Sequence, residues 1–166
     1  LLLGLFLMTG WLTAADMRRR FPFELLLVVG SALAISLGLE RTGAAQLMAD
    51  GVRAAFSGTG PLGALVGIYL MTILLTEMVT NNAAAALAFP VAVATATSLG
   101  VSPVPFYMVV LYGASACFLM PFGYQTHMMV MTPGRYKVAD YARAGWPVSL
   151  VYGVVVLLLV PVFFPL

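Results

Sequence analysis

The run Thr76-Glu77-Met78-Val79-Thr80-Asn81-Asn82 sets a carboxylate, two amides and two hydroxyls inside an otherwise apolar stretch, and Ala83 to Ala86 follow it directly. Taking an unpaired amide out of water costs roughly 2–7 kcal/mol on transfer scales. Polar groups gathered at membrane depth therefore line an ion or substrate path rather than face lipid. The membrane setting follows from composition: 62% of residues are hydrophobic and 8% charged, outside the range of water-soluble domains. The chain reads as an all-α integral membrane protein, and a transporter is the first expectation.

The 166 residues accommodate about five hydrophobic elements at roughly 20 residues per span. The pattern predicts the end of a transmembrane helix over 1–10, a transmembrane helix over 22–39, and an interfacial amphipathic helix over 44–56. In the last of these, Gln46, Asp50 and Arg53 face away from Ala45, Met48, Val52 and Phe56. A helical hairpin follows over 61–98, interrupted at Thr80-Asn81-Asn82. A broken transmembrane helix occupies 105–132, its break placed at Pro121–His127. A basic loop from Pro133 to Arg143 leads to a final transmembrane helix over 144–165. Gly30, Ala34 and Gly38 form a small-residue stripe suited to close helix packing. The apolar start without Met and without a basic leader reads as the interior of a longer chain.

Charge bias orients these elements. One side carries Arg18, Arg19, Arg20, Arg135, Lys137 and Arg143, the other only Arg41 and Arg53, so the first side is expected in the cytoplasm and the carboxyl terminus outside a multi-pass cell membrane protein. A net charge of +2 gives no basis for nucleic-acid binding. The lone Cys117 excludes an internal disulfide and reads as core packing. No HExxH, GxSxG or paired catalytic Asp is present, so no enzyme and no cofactor are expected. A purely structural membrane subunit is the alternative from another class, and it predicts no ligand dependence at the two interruptions.

Interrupted helices expose carbonyls and amides that hydrocarbon tolerates only beside a cavity. Half-helix carbonyls suit a cation and half-helix amino termini an anion. The amides at the start of the Ala83 helix point back at Asn81 and Asn82, and the break near Gly123–Thr126 supplies carbonyls and a second amide-rich end. A cation and an anion site side by side are therefore expected. Glu77 reads either as a protonatable coupling group or as a carboxylate satisfied by backbone amides or Arg. His127 reads as a hydrogen-bonded core residue before a metal ligand, and it is the one imidazole able to confer pH sensitivity. If sodium alone carries coupling, Glu77→Gln keeps transport, on the premise that the amide preserves shape and hydrogen bonding.

The segments Thr76–Ala86, Ser115-Ala116-Cys117-Phe118-Leu119-Met120-Pro121-Phe122-Gly123-Tyr124-Gln125-Thr126, Gly134-Arg135-Tyr136-Lys137-Val138-Ala139-Asp140-Tyr141 and Gly145-Trp146-Pro147 together resemble the carboxyl-terminal half of the divalent anion:sodium symporter family, within the ion transporter superfamily. The resemblance implies one inverted repeat of an elevator-type transporter, with a re-entrant hairpin, a broken transmembrane helix and a homodimeric scaffold, the amino-terminal repeat being absent here. It implies sodium at Thr76, Asn81 and the carbonyls of Val79 and Gly123. It places a small divalent anion, sulfate or a dicarboxylate, at Thr80, Asn81, Asn82, Gln125 and Thr126. Sodium is the only metal implied. Asn82 stands where many relatives have Thr, and His127 where Asn is usual. Within the same superfamily, arsenite efflux and sodium/proton antiport are the alternative activities.

Overall fold

The computed structural model describes residues 4, 5, 8–11, 13, 19, 23–56 and 58–166, with the side chains at 24, 25, 28, 29 and 32 excepted. Half of the expected first span over 1–10 and most of the basic loop, with Arg18 and Arg20, lie outside the described residues. Among those described, the chain forms seven helices: α1 (Phe23–Arg41), α2 (Ala44–Ala55), α3 (Gly60–Met78), α4 (Asn81–Leu99), α5 (Val104–Ala114), α6 (Gln125–Gly134) and α7 (Val138–Phe163). No strand occurs among the described residues. Among the described residues three helices, α3, α4 and α7, are long and apolar enough to cross a membrane.

The centre of the molecule is the hairpin α3–α4 packed on α5, with α2 against both arms and α7 against α5. Leu65, Ile68 and Tyr69 of α3 interlock with Ala88, Val91, Ala92 and Ala96 of α4 and with Phe106, Val109 and Val110 of α5. Small residues set how closely the helices approach. A Cβ on Gly113 would stand 3.2 Å from Thr72, and one on Gly67 would stand 2.7 Å from Val52. The buried hydroxyls of Thr72 and Thr95 donate to the carbonyls of Ile68 and Val91, each at 2.7 Å, so α3 and α4 bury them without an unpaired group.

Helix α2 buries Ala45 and Ala49 and exposes an Asp50–Arg53 ion pair at 2.9 Å. Its polar face follows the expected pattern, whereas Met48, assigned to the apolar face, is exposed. The stripe Gly30, Ala34, Gly38 is exposed, and a Cβ on either glycine would meet nothing within 4 Å. No described helix of this chain uses it for packing.

Two boundaries differ from the sequence expectation. Helix α7 begins at Val138, within the stretch read as a basic loop, because the Lys137 amide donates to Asp140 Oδ2 at 2.8 Å and the Asp140 amide returns to the Lys137 carbonyl at 2.9 Å. An acidic residue in the first turn caps an orphan amide and suits the helix dipole, which a reading by charge density treats as loop. The second difference concerns the break. It runs from Ser115 to Tyr124 rather than from Pro121 to His127, and the chain is helical again at Gln125.

Candidate functional site

The two arms of the hairpin meet at Val79 and Thr80. Both are extended, and Thr80 Oγ1 accepts the Ala83 amide at 3.4 Å as the cap of α4. This short connection leaves the last carbonyls of α3 and the first amides of α4 without intrahelical partners at one point in space. The break between α5 and α6 lies against that point.

Two neighbouring side chains of α3 join tip to break. The Thr76 hydroxyl is fully buried, 2.6 Å from the carbonyl oxygen of Ala114, the last residue of α5, and 2.9 Å from Asn81 Oδ1. The single Thr76 proton lies between two acceptors, the Ala114 carbonyl and Asn81 Oδ1, with the shorter approach to Ala114, so this hydroxyl ties the hairpin tip to the end of α5. Glu77 serves the other end of the break. Its Oε1 accepts the amides of Phe118 and Leu119, both at 3.0 Å, and its Oε2 accepts the Met120 amide at 2.8 Å and the Cys117 thiol at 3.4 Å. Of the two sequence readings of Glu77, the geometry supplies the partners of the second, a carboxylate held by backbone amides.

Gly123 closes the loop. A Cβ there would collide with the Cys117 sulfur and stand 3.0 Å from the Thr76 carbonyl oxygen, so only glycine lets the break reach the last turn of α3. Gly145 of α7 plays the same part from the opposite side, where a Cβ would fall on the Phe118 carbonyl group. The Tyr124 hydroxyl donates to the Ser115 carbonyl at 3.1 Å across the interruption.

Thr76, Glu77, Asn81 and Gly123 are thus brought together. Val79 lies at the tip as the C-cap of α3. Thr80, Asn82, Gln125 and Thr126 stand exposed at the amino-terminal ends of α4 and α6, and no side-chain hydrogen bond among the described residues ties Asn82, Gln125 or Thr126 to the cluster. His127 lies on α6 rather than in the break. Its ring sits between Tyr124 and Tyr141, with centroids at 5.4 and 5.6 Å, its carbonyl accepts the Tyr141 hydroxyl at 2.8 Å, and its buried Nδ1 has no hydrogen-bond partner. No group of three His, Cys, Asp or Glu side chains arranged to hold a metal occurs among the described residues.

Sequence reasoning passed over three contributors. Cys117 is buried as core packing requires, and its thiol in addition faces the Glu77 carboxylate. The amides of Phe118 to Met120 carry no side-chain signal at all. Gly145 could have been found only from its place in the Gly145-Trp146-Pro147 motif.

A profile of the family described as citrate transporter matches residues 1–165. The chain belongs to the citrate transporter family. It is 37% identical over 145 residues to a protein named sodium/sulfate cotransporter 1 of Chlamydomonas reinhardtii, covering 87% of this chain and 16% of that one. It is 35% identical over 150 residues to a probable sodium/sulfate cotransporter 3 of the same organism, covering 89% and 16%. It is also 25% identical over 150 residues to a sodium-dependent dicarboxylate transporter of Staphylococcus saprophyticus, covering 90% and 28%. These names agree with the resemblance to sodium-coupled sulfate and dicarboxylate symporters, and none denotes an enzyme. The chain spans between 16% and 28% of the length of these relatives, and the Ser115–Tyr124 break lies inside the stretch matched to the citrate transporter family.

Proposed function

We propose that this chain forms part of a secondary active transporter that moves a small divalent anion, sulfate or a dicarboxylate, together with sodium. The observation that carries the reading is the junction of hairpin tip and helix break, where Thr76, Asn81 and Gly123 converge within hydrogen-bond or van der Waals reach. Sodium is assigned to the Thr76 hydroxyl, the Asn81 carboxamide and the carbonyls of Val79 and Gly123. The anion is assigned to Thr80, Asn81, Asn82, Gln125 and Thr126, in front of the free amides that begin α4 and α6. A cation placed beside these amino termini lowers the cost of dehydrating a dianion, because attraction between charges is several-fold larger in a low-dielectric site than in water.

Support for a re-entrant hairpin comes from the short halves of the broken helix rather than from the hairpin's own 19-residue arms α3 and α4, which are long enough to cross the membrane. Helix α5 has 11 residues and α6 has 10, each about half of a roughly 30 Å hydrocarbon core, which puts the break between them near mid-membrane. The hairpin tip touches that break, so the tip is assigned to the same depth. The remaining elements of the reading are an inverted repeat supplied by the rest of the protein, elevator-like motion and a homodimeric scaffold. They rest on the family resemblance.

Sodium binding is directly testable. In the purified full-length protein, sodium but not potassium is expected to raise the melting temperature, and sulfate or a dicarboxylate is expected to add to it only when sodium is present. A ligand at 100 times its dissociation constant stabilises by about 2.7 kcal/mol. Equal effects of sodium and potassium would remove the sodium site from the account.

The orientation gives a second expectation. Arg19 and Lys137 are assigned to the cytoplasm, and Arg53 and Leu166 to the outside. Single cysteines at these positions in a Cys117-free protein are expected to react with a membrane-impermeant maleimide in intact cells only at 53 and 166. Labelling at 137 from outside rejects the orientation.

A further inference from the structure

The interruption between α5 and α6 leaves two sets of backbone groups to satisfy, a carbonyl just before it and amides within it. Both are met from the last turn of α3 by adjacent residues, Thr76 at Ala114 and Glu77 at Phe118, Leu119 and Met120. We propose that Glu77 is a positioning residue whose carboxylate locks the Cys117–Gly123 loop to the hairpin, so that tip and break hold one geometry and present the Gly123 carbonyl to the cation site. The transport consequence rests on the function proposed above, whereas the lock itself does not.

Chemistry favours a carboxylate over any substitute here. Four donors converge on Glu77, three amides and the Cys117 thiol, and a carboxylate offers about four lone-pair sites and no proton. Charge-assisted bonds of this kind are roughly twice as strong as neutral ones. A glutamine turns an NH₂ group against one of these amides, which sets donor against donor and leaves at least one N–H without an acceptor. The sequence premise that Glu77→Gln preserves the hydrogen bonding therefore fails on geometry. Among the described residues no side-chain hydrogen bond from α7 reaches the Cys117–Gly123 loop; Gly145 of α7 meets it through close backbone contact at Phe118.

Cys117 is a built-in reporter, because its thiol is fully buried on the Glu77 carboxylate. The test uses the full-length protein with Cys117 as the only cysteine. Expected for Glu77→Gln are at least a tenfold faster reaction of Cys117 with N-ethylmaleimide and at least a tenfold rise in the sodium concentration giving half-maximal uptake, at normal expression. Glu77→Asp keeps the charge but reaches one methylene less far, and is expected to shift both readouts in the same direction. If Glu77→Gln is not recovered as a monodisperse protein, Glu77→Asp carries the decision. Labelling within twofold of wild type overturns the lock. Faster labelling with unchanged sodium dependence overturns its role in positioning the cation site. If wild-type uptake ignores sodium, the symport reading fails, while the labelling arm still decides whether the lock exists.

Discussion

Replacing Asn81 with alanine is expected to reduce sodium-dependent uptake by the full-length protein to background while the protein still inserts and folds. The asymmetry comes from the position. Asn81 is the first residue of α4, beyond the Thr80 cap, so the helix keeps its terminus and gains a better helix former. The structural loss is the single contact to Thr76 at 2.9 Å, about 0.5–1.5 kcal/mol for a neutral hydrogen bond. The functional loss is larger, because the same carboxamide is assigned to both sodium and the anion. Radiotracer uptake normalised to surface expression is the measurement. Wild-type sodium dependence in the variant would take Asn81 out of the site.

Gly145→Val is expected to be the most damaging substitution for the fold. An added Cβ falls on the Phe118 carbonyl group, 2.6 Å from its carbon and 3.2 Å from the Leu119 nitrogen, and backbone cannot swing aside as the end of a flexible side chain does. Relief requires α7 to move away or the loop to leave Glu77, and the second costs the hydrogen bonds that the Phe118 and Leu119 amides donate to its carboxylate. Overpacking of this kind costs about 1–3 kcal/mol or more, so a lower melting temperature and a loss of the monodisperse species are expected. Gly38→Ala is the matched control, since its Cβ meets nothing within 4 Å. A Gly145→Val protein as stable as the Gly38→Ala protein would contradict the close contact between α7 and the break.

What could be read from the sequence divides along a physical line. The hairpin, its polar tip and the amphipathic α2 were legible because hydropathy and periodicity record local burial. The gathering of Thr76, Asn81 and Gly123 was legible only through the family motifs. The extent of the break was not legible, because Ala116-Cys117-Phe118-Leu119-Met120 is as apolar as any helix in the chain. Where its backbone leaves the helix, a carboxylate 43 residues upstream of Met120 accepts the amides that a helix would otherwise satisfy. Periodicity cannot see a partner that far away. The start of α7 was hidden for a simpler reason: Asp140 and Arg143 look like loop residues by charge, but in the first turns of a helix they cap and solvate it.

The central claim is that a sodium gradient drives the anion across the membrane. It is tested most directly with the purified full-length protein in proteoliposomes, by following labelled sulfate and succinate under an imposed sodium gradient, a proton gradient, or neither. The account predicts concentrative uptake of at least one of these dianions with inward sodium alone, and none with inward protons alone. Accumulation driven by the proton gradient in the absence of sodium would contradict it.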